Sequence, residues 1–261
     1  MQTLPTPLII TYLTLLGTTI ASFLTCLTSR RQSGESILTG RSHCQTCGHP
    51  LHPTDLIPII SYLTHKGRCR YCHAQIPFTC LTAELWGAIL YPAIFLHFGW
   101  SCNTLMWLIA GTLLLSLSLI DAQEQIIPNP ILLLLALNRL IFLPLSDTPI
   151  RQELTSILTG TLIIPTVMLF LTLLMDKLMK RETMGGGDLK LLYVLGLYLN
   201  WKNMFFMLFI SCLLGLIWIA VRKTFNKQAD PTIAFGPFLS IGCLAAVWFA
   251  DPFITWYIHL F

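Results

Sequence analysis

Charge is what this chain has least of. Only 11% of its 261 residues are Asp, Glu, Lys or Arg, against about 25% in a typical soluble domain. That scarcity excludes an ordinary water-soluble globule. Basic residues are nowhere clustered densely enough to form a nucleic-acid footprint, so no nucleic-acid partner is expected. The flank before the first apolar run, MQTLP, has no Lys or Arg, and Arg30 and Arg31 follow that run. The run is therefore expected to be a retained membrane helix and not a removable signal peptide. No internal repeat relates the two halves. This weighs against an ion-coupled transporter, which would also use paired carboxylates and glycine-broken helices.

What is abundant is apolar. Hydrophobic residues make up 54% of the chain, and the mean hydropathy is +0.70. Long apolar runs near 6–28, 81–99, 103–120, 127–145, 154–176, 189–200, 203–221 and 233–250 predict an all-α polytopic membrane protein of about eight transmembrane helices. The sixth run is short for a bilayer that needs about 20 helical residues. Three parts follow: a first transmembrane helix (1–28), a tetracysteine domain (29–80) and a membrane-embedded remainder (81–261).

Orientation follows from the basic residues. Segments 29–80, 121–126, 177–190 and 222–231 hold Arg30, Arg31, Arg41, Lys66, Arg68, Arg70, Lys177, Lys180, Arg181, Lys190, Arg222, Lys223 and Lys227, which is 13 of the 16 Lys and Arg. The opposite loops hold Arg151 and Lys202, and Arg139 lies within a run. The positive-inside rule puts the first set in the cytoplasm and both termini outside. Arg139 needs a partner or must snorkel, and Asp147 is a candidate partner.

The largest polar segment carries CQTC at Cys44–Cys47 and CRYC at Cys69–Cys72. Four thiolates in two such pairs suit one tetrahedral Zn²⁺, with no open position for catalysis. A reducing cytoplasm argues against stable disulfides. A segment this small buries too little apolar surface to fold unaided, which gives a structural metal a purpose. His43, His49, His65 and His73 lie nearby and are expected at the surface.

Asp188 follows Gly185, Gly186 and Gly187 at the start of an apolar run. It has a purely structural reading as the N-cap of the next helix. Asp121 ends the third run at the same predicted face, where a carboxylate opposes the helix dipole. Ionisable residues at membrane depth point to function. Two carboxylates held close split into an acid and a base. One then activates water while the other protonates a carbonyl oxygen. Glycines beside them permit φ > 0 and close approach of a substrate backbone. Glu124 is expected to be a solvated loop residue, and Lys190 a positive-inside anchor. Gly17 and Ala21 read as a helix-packing pair.

DAQEQIIPN (121–129), GGGDLKLLYVLG (185–196), SGESILTGRSHCQTC (33–47), DLIPIISYLTHKGRCRYC (55–72) and IAFGPFLSIG (233–242) occur in that arrangement along the chain. In these stretches the sequence resembles the type IV prepilin peptidases, membrane aspartyl proteases of the GxGD type. The resemblance implies cleavage of the leader of a type IV prepilin or pseudopilin at the cytoplasmic face of the inner membrane. Asp121 and Asp188 would form the catalytic pair. Many members also methylate the new N-terminal amine with S-adenosylmethionine. The chain departs from the family pattern at Ala21, Thr25, Thr79, Cys80 and Leu81, and keeps a glutamate at Glu84. The aspartate motifs are untouched by these departures.

Overall fold

The structure is a computed structural model that describes residues 5–36, 40–146, 148–225 and 233–259. Among the described residues the regular structure is helical, apart from two isolated bridges, and the chain divides into two compact units, Met1–Thr104 and Leu105–Phe261.

The first unit contains α1 (Thr6–Ser33), α2 (Ile60–Thr64) and α3 (Phe78–Phe98). A proline in its first turn starts α1, and Gly34 ends it in the left-handed conformation, φ 69°. The Gly34 and Glu35 N–H groups return to the carbonyls of Arg31 and Arg30, which satisfies orphan acceptors of the last turn. Arg30 and Arg31 in that turn also complement the helix dipole. α1 and α3 pack through glycine. A Cβ on Gly17 would lie 2.1 Å from the Gly87 carbonyl oxygen, and one on Gly87 would lie 2.8 Å from the Ala21 Cβ. The small residues are thus a packing seam that lets two apolar helices approach at backbone distance.

The second unit contains α4 (Cys102–Glu124), α5 (Asn129–Phe142), α6 (Ile150–Met179), α7 (Gly186–Leu195), α8 (Trp201–Phe225) and α9 (Gly236–Ile258). The short helix α7 lies at its centre. Leu191, Leu192 and Leu195 are buried, as are Leu117 of α4, Leu135 of α5, Met207 of α8 and Leu239 of α9. Gly160 of α6 and Gly196 allow the closest approach: a Cβ on Gly160 would be 1.9 Å from the Leu199 oxygen. On the outside, Leu158, Leu162, Phe170 and Leu173 of α6 are exposed, a face suited to lipid.

By length and composition, α1, α3, α4, α6, α8 and α9 can each cross a membrane; the stretch Asn129–Leu145 is apolar but shorter. The eight runs read from the sequence correspond to these six helices together with α5 and α7. α5 begins after Pro128 and gives way to a turn containing Pro144, and α7 has only 10 residues. Proline and local turns shorten helices that hydropathy alone would extend.

Arg139, expected to need a partner or to snorkel, has a partner. It forms an ion pair with Glu153 at the start of α6, and its Nε donates to the Leu197 carbonyl at 2.9 Å. Asp147 lies outside the described residues, as does Lys227 of the predicted cytoplasmic set. Beside Arg139, Asn138 donates to the Met106 carbonyl at 3.1 Å and to the Tyr198 hydroxyl at 2.9 Å.

Candidate active site and metal centre

Asp121 occupies the last turn of α4 and is 4% exposed. Its Oδ2 accepts the Gly236 N–H at 2.8 Å. Gly236 opens α9, so the positive end of one helix dipole faces a carboxylate disfavoured by its own. The contact depends on glycine. A Cβ at Gly236 would stand 2.7 Å from Asp121 Oδ2 and 3.1 Å from Leu117 Cδ2.

Asp188 lies in the first turn of α7, within electrostatic reach of Asp121. It is not the N-cap. Gly185 holds that position, and no side chain caps the helix. The glycines before it differ in surroundings. A Cβ on Gly185 would be 3.1 Å from Asp188 Oδ2, one on Gly187 would be 3.1 Å from the Ile127 Cβ, and one on Gly186 would meet nothing within 4 Å. None of the three has positive φ, so left-handed backbone is not what calls for glycine here. The loop leading into it is tied to α6: Asp176 Oδ1 accepts the Thr183 N–H at 2.7 Å and its hydroxyl at 2.6 Å. Lys190 donates to Asn129 Oδ1 at 3.2 Å. Glu124 is half-buried as the last residue of α4 and is not in a loop.

In the first unit, Cys44, Cys47, Cys69 and Cys72 converge, with their Sγ atoms all within 4.8 Å of one another. The Cys44 and Cys72 sulfurs are 3.8 Å apart. A tetrahedral Zn²⁺ with Zn–S bonds of about 2.3 Å sets its sulfurs about 3.8 Å apart, so the set fits a metal of that kind. Two matching knuckles build it. Cys44 N–H bonds to His49 O and Gly48 N–H to Cys44 O; Cys69 N–H bonds to Ala74 O and His73 N–H to Cys69 O. Each knuckle turns through one left-handed residue, Gly48 (φ 69°) or His73 (φ 58°). His43 and His65 are half-buried and pair with Glu35 at 3.3 Å and Asp55 at 3.6 Å.

Residues 15–98 match the Bacterial Peptidase A24 N-terminal domain, and residues 107–220 match the Type IV leader peptidase family. The Prepilin leader peptidase/N-methyltransferase of Aeromonas salmonicida (strain A449) is 33% identical over 228 residues, covering 85% of this chain and 76% of that protein. This chain belongs to the type IV leader peptidase family. Two further members with the same name are similarly related to it. That of Bacillus subtilis (strain 168) is 32% identical over 86% of this chain and 88% of its own length; that of Pseudomonas aeruginosa is 32% identical over 84% and 75%. No solved structure matches the chain significantly. The expectation of an enzyme from this peptidase family is met. Both aspartates lie within the peptidase match, and the tetracysteine cluster lies within the N-terminal match.

Two contacts of this peptidase escaped the sequence reading. Gly236 sits 115 positions from Asp121, and only its place in the IAFGPFLSIG motif hinted at a role. Glu84 is buried and accepts the Ile59 N–H at 2.7 Å. A lone glutamate five residues past Thr79 gives no sign of such a partner.

Proposed function

We propose that this peptidase removes the leader of type IV prepilins or pseudopilins at the cytoplasmic face of the inner membrane, with Asp121 and Asp188 as its catalytic pair. The support for this reading is that two carboxyls from separate helices of the second unit stand close enough to interact electrostatically, one of them bonded to a glycine N–H. The Gly236 N–H and the N-terminus of α9 meet one oxygen of Asp121 and orient it. Asp121 is assigned as the base that takes a proton from water. Asp188, next to that charge, keeps the shared proton and delivers it to the scissile carbonyl oxygen. Gly186, with open space where a Cβ would be, offers the substrate backbone an edge; Gly185 and Gly187 complete that strip.

The four cysteines would hold a structural Zn²⁺. Methylation of the new N-terminal amine with S-adenosylmethionine follows the second half of the relatives' names. The membrane topology is read as eight spans, with α5 and α7 as the short ones. The products would serve a type IV pilus, type II secretion or a competence pseudopilus. The test is co-expression with a prepilin, reading the mass of the mature N-terminus. Asp121→Asn and Asp188→Asn should each lower cleavage by at least about a hundredfold. Near-wild-type cleavage by either would overturn the pair.

A further inference from the structure

We propose that Asn138 and Tyr198 are positioning residues of the peptidase, holding the turn that follows α7 and so setting where Asp188 stands against Asp121. This rests on the reading of the two aspartates as the catalytic pair. The end of α7 that carries Asp188 has few directional contacts. Gly185, Gly186 and Gly187 supply no side chain to wedge it, and the tie from Asp176 stops at Thr183. Lys190 reaches Asn129 of α5, but both residues are exposed, where water competes for the bond. The buried leucines Leu191, Leu192 and Leu195 draw α7 into the core through a force that has no direction of its own.

The far end is built differently. The Asn138 amide can donate two hydrogen bonds, and it makes both, to the Met106 carbonyl of α4 and to the Tyr198 hydroxyl. That hydroxyl donates in turn to the Leu135 carbonyl of α5 at 2.7 Å, and the Tyr198 ring lies 5.3 Å from the Trp107 ring of α4. The Arg139 bond to the Leu197 carbonyl holds the same turn. So α4 and α7, the helices that carry the two aspartates, meet one pair of side chains at the end away from the carboxyls. Asn138 is 6% exposed. A buried amide among apolar helices is costly unless paired, and polar side chains at such depth point to function. The register of α5 extends the tie. Its Asn129 and Asn138 meet Lys190 and Tyr198 in the same order along the chain, so α5 runs beside α7 in the same direction, as a splint. From Tyr198 back to Asp188 is roughly 15 Å at the helical rise, so a tilt of about 4° at the far end moves the carboxyl by about 1 Å. A misplacement of that size costs about a hundredfold in rate.

The test is steady-state cleavage of a purified prepilin by the full chain in detergent, with rates expressed per folded enzyme from its thermal unfolding transition. Tyr198→Phe keeps the ring beside Trp107 and removes only the hydroxyl. Asn138→Leu keeps the size and removes the amide. Each should lower kcat by at least about tenfold and leave KM within about twofold of wild type, since interactions with bound substrate are untouched. Tyr198→Phe carries the decision if Asn138→Leu fails to fold. A role confined to stability would lower the unfolding temperature and leave kcat of the folded enzyme at the wild-type value. That outcome would overturn the proposal, as would a loss carried by KM alone. Asp188→Asn is measured beside them. Wild-type cleavage in Asp188→Asn would refute the catalytic pair. Lost cleavage there, with wild-type kcat in Tyr198→Phe and Asn138→Leu, would refute the positioning role alone.

Discussion

The Asp121 carboxylate leaves no room for a side chain at Gly236. An added methyl would sit 2.7 Å from Oδ2 and 3.1 Å from Leu117, too close for either neighbour to remain in place. Overpacking of this kind costs about 1–3 kcal/mol where it can be relieved by shifts, and here the shift moves a proposed catalytic atom. Gly236→Ala is therefore expected to lower prepilin cleavage by at least about tenfold while the protein still inserts, as read by the leader-processing assay. Gly186→Ala provides the contrast. Nothing lies within 4 Å of its added carbon, so the variant should match wild-type thermal stability. Any loss of cleavage in it then measures how closely substrate backbone passes. If Gly236→Ala were fully active, the N–H contact to Asp121 would not matter to the reaction.

Among the elements, the knuckle pair and the α5–α6 connection are both held by polar chemistry. Purified protein is expected to carry about one zinc per chain, and Cys44→Ser with Cys47→Ser should release it; full metal content in that double variant would rule out these ligands. Arg139 and Glu153 have side chains only 7% and 15% exposed. Glu153→Ala should therefore destabilise by roughly 3–5 kcal/mol, with much of this recovered in Arg139→Met/Glu153→Ala, because an orphaned buried charge costs more than its absence. Thermal unfolding in detergent would measure both. These elements also mark where sequence reading stops. The helices were legible because long apolar runs leave few alternatives in a bilayer, and the cysteines because their spacing suits one metal. For Arg139 Asp147 was one candidate partner, and the contact with Glu153 depends on how α6 folds back. Asp188 was open to being a cap until the placement of α7 put Gly185 there. The Glu84–Ile59 and Asp121–Gly236 bonds join residues far apart in sequence, and no local pattern encodes them.

For the whole molecule, the question is which side of the membrane the aspartates face. Within the second unit, one end gathers several helix termini. The C-terminus of α4 bonds the N-terminus of α9 through Asp121 and Gly236, and the first turn of α7 reaches that of α5 through Lys190 and Asn129. The basic residues agree. Lys177 lies in the last turn of α6, and Arg222 and Lys223 lie in the last turn of α8. Arg139, which would count against this assignment if it sat free in the membrane, is neutralised by Glu153. The proposed topology, drawn from the positive-inside rule, has the aspartate end in the cytoplasm, where a basic leader preceding an apolar helix would be held. A reporter active only in the cytoplasm should work when fused after Glu182 and fail after Gln152, and one active only outside should do the reverse. The side of the first unit is tested separately by its thiols, because a cysteine cluster on the outer face would meet an oxidising compartment and form disulfides. Activity of the outside reporter after Glu182 would put Asp188 on the wrong side for a cytoplasmic leader, and the proposed substrate would fall even if the carboxylate pair remained a catalyst.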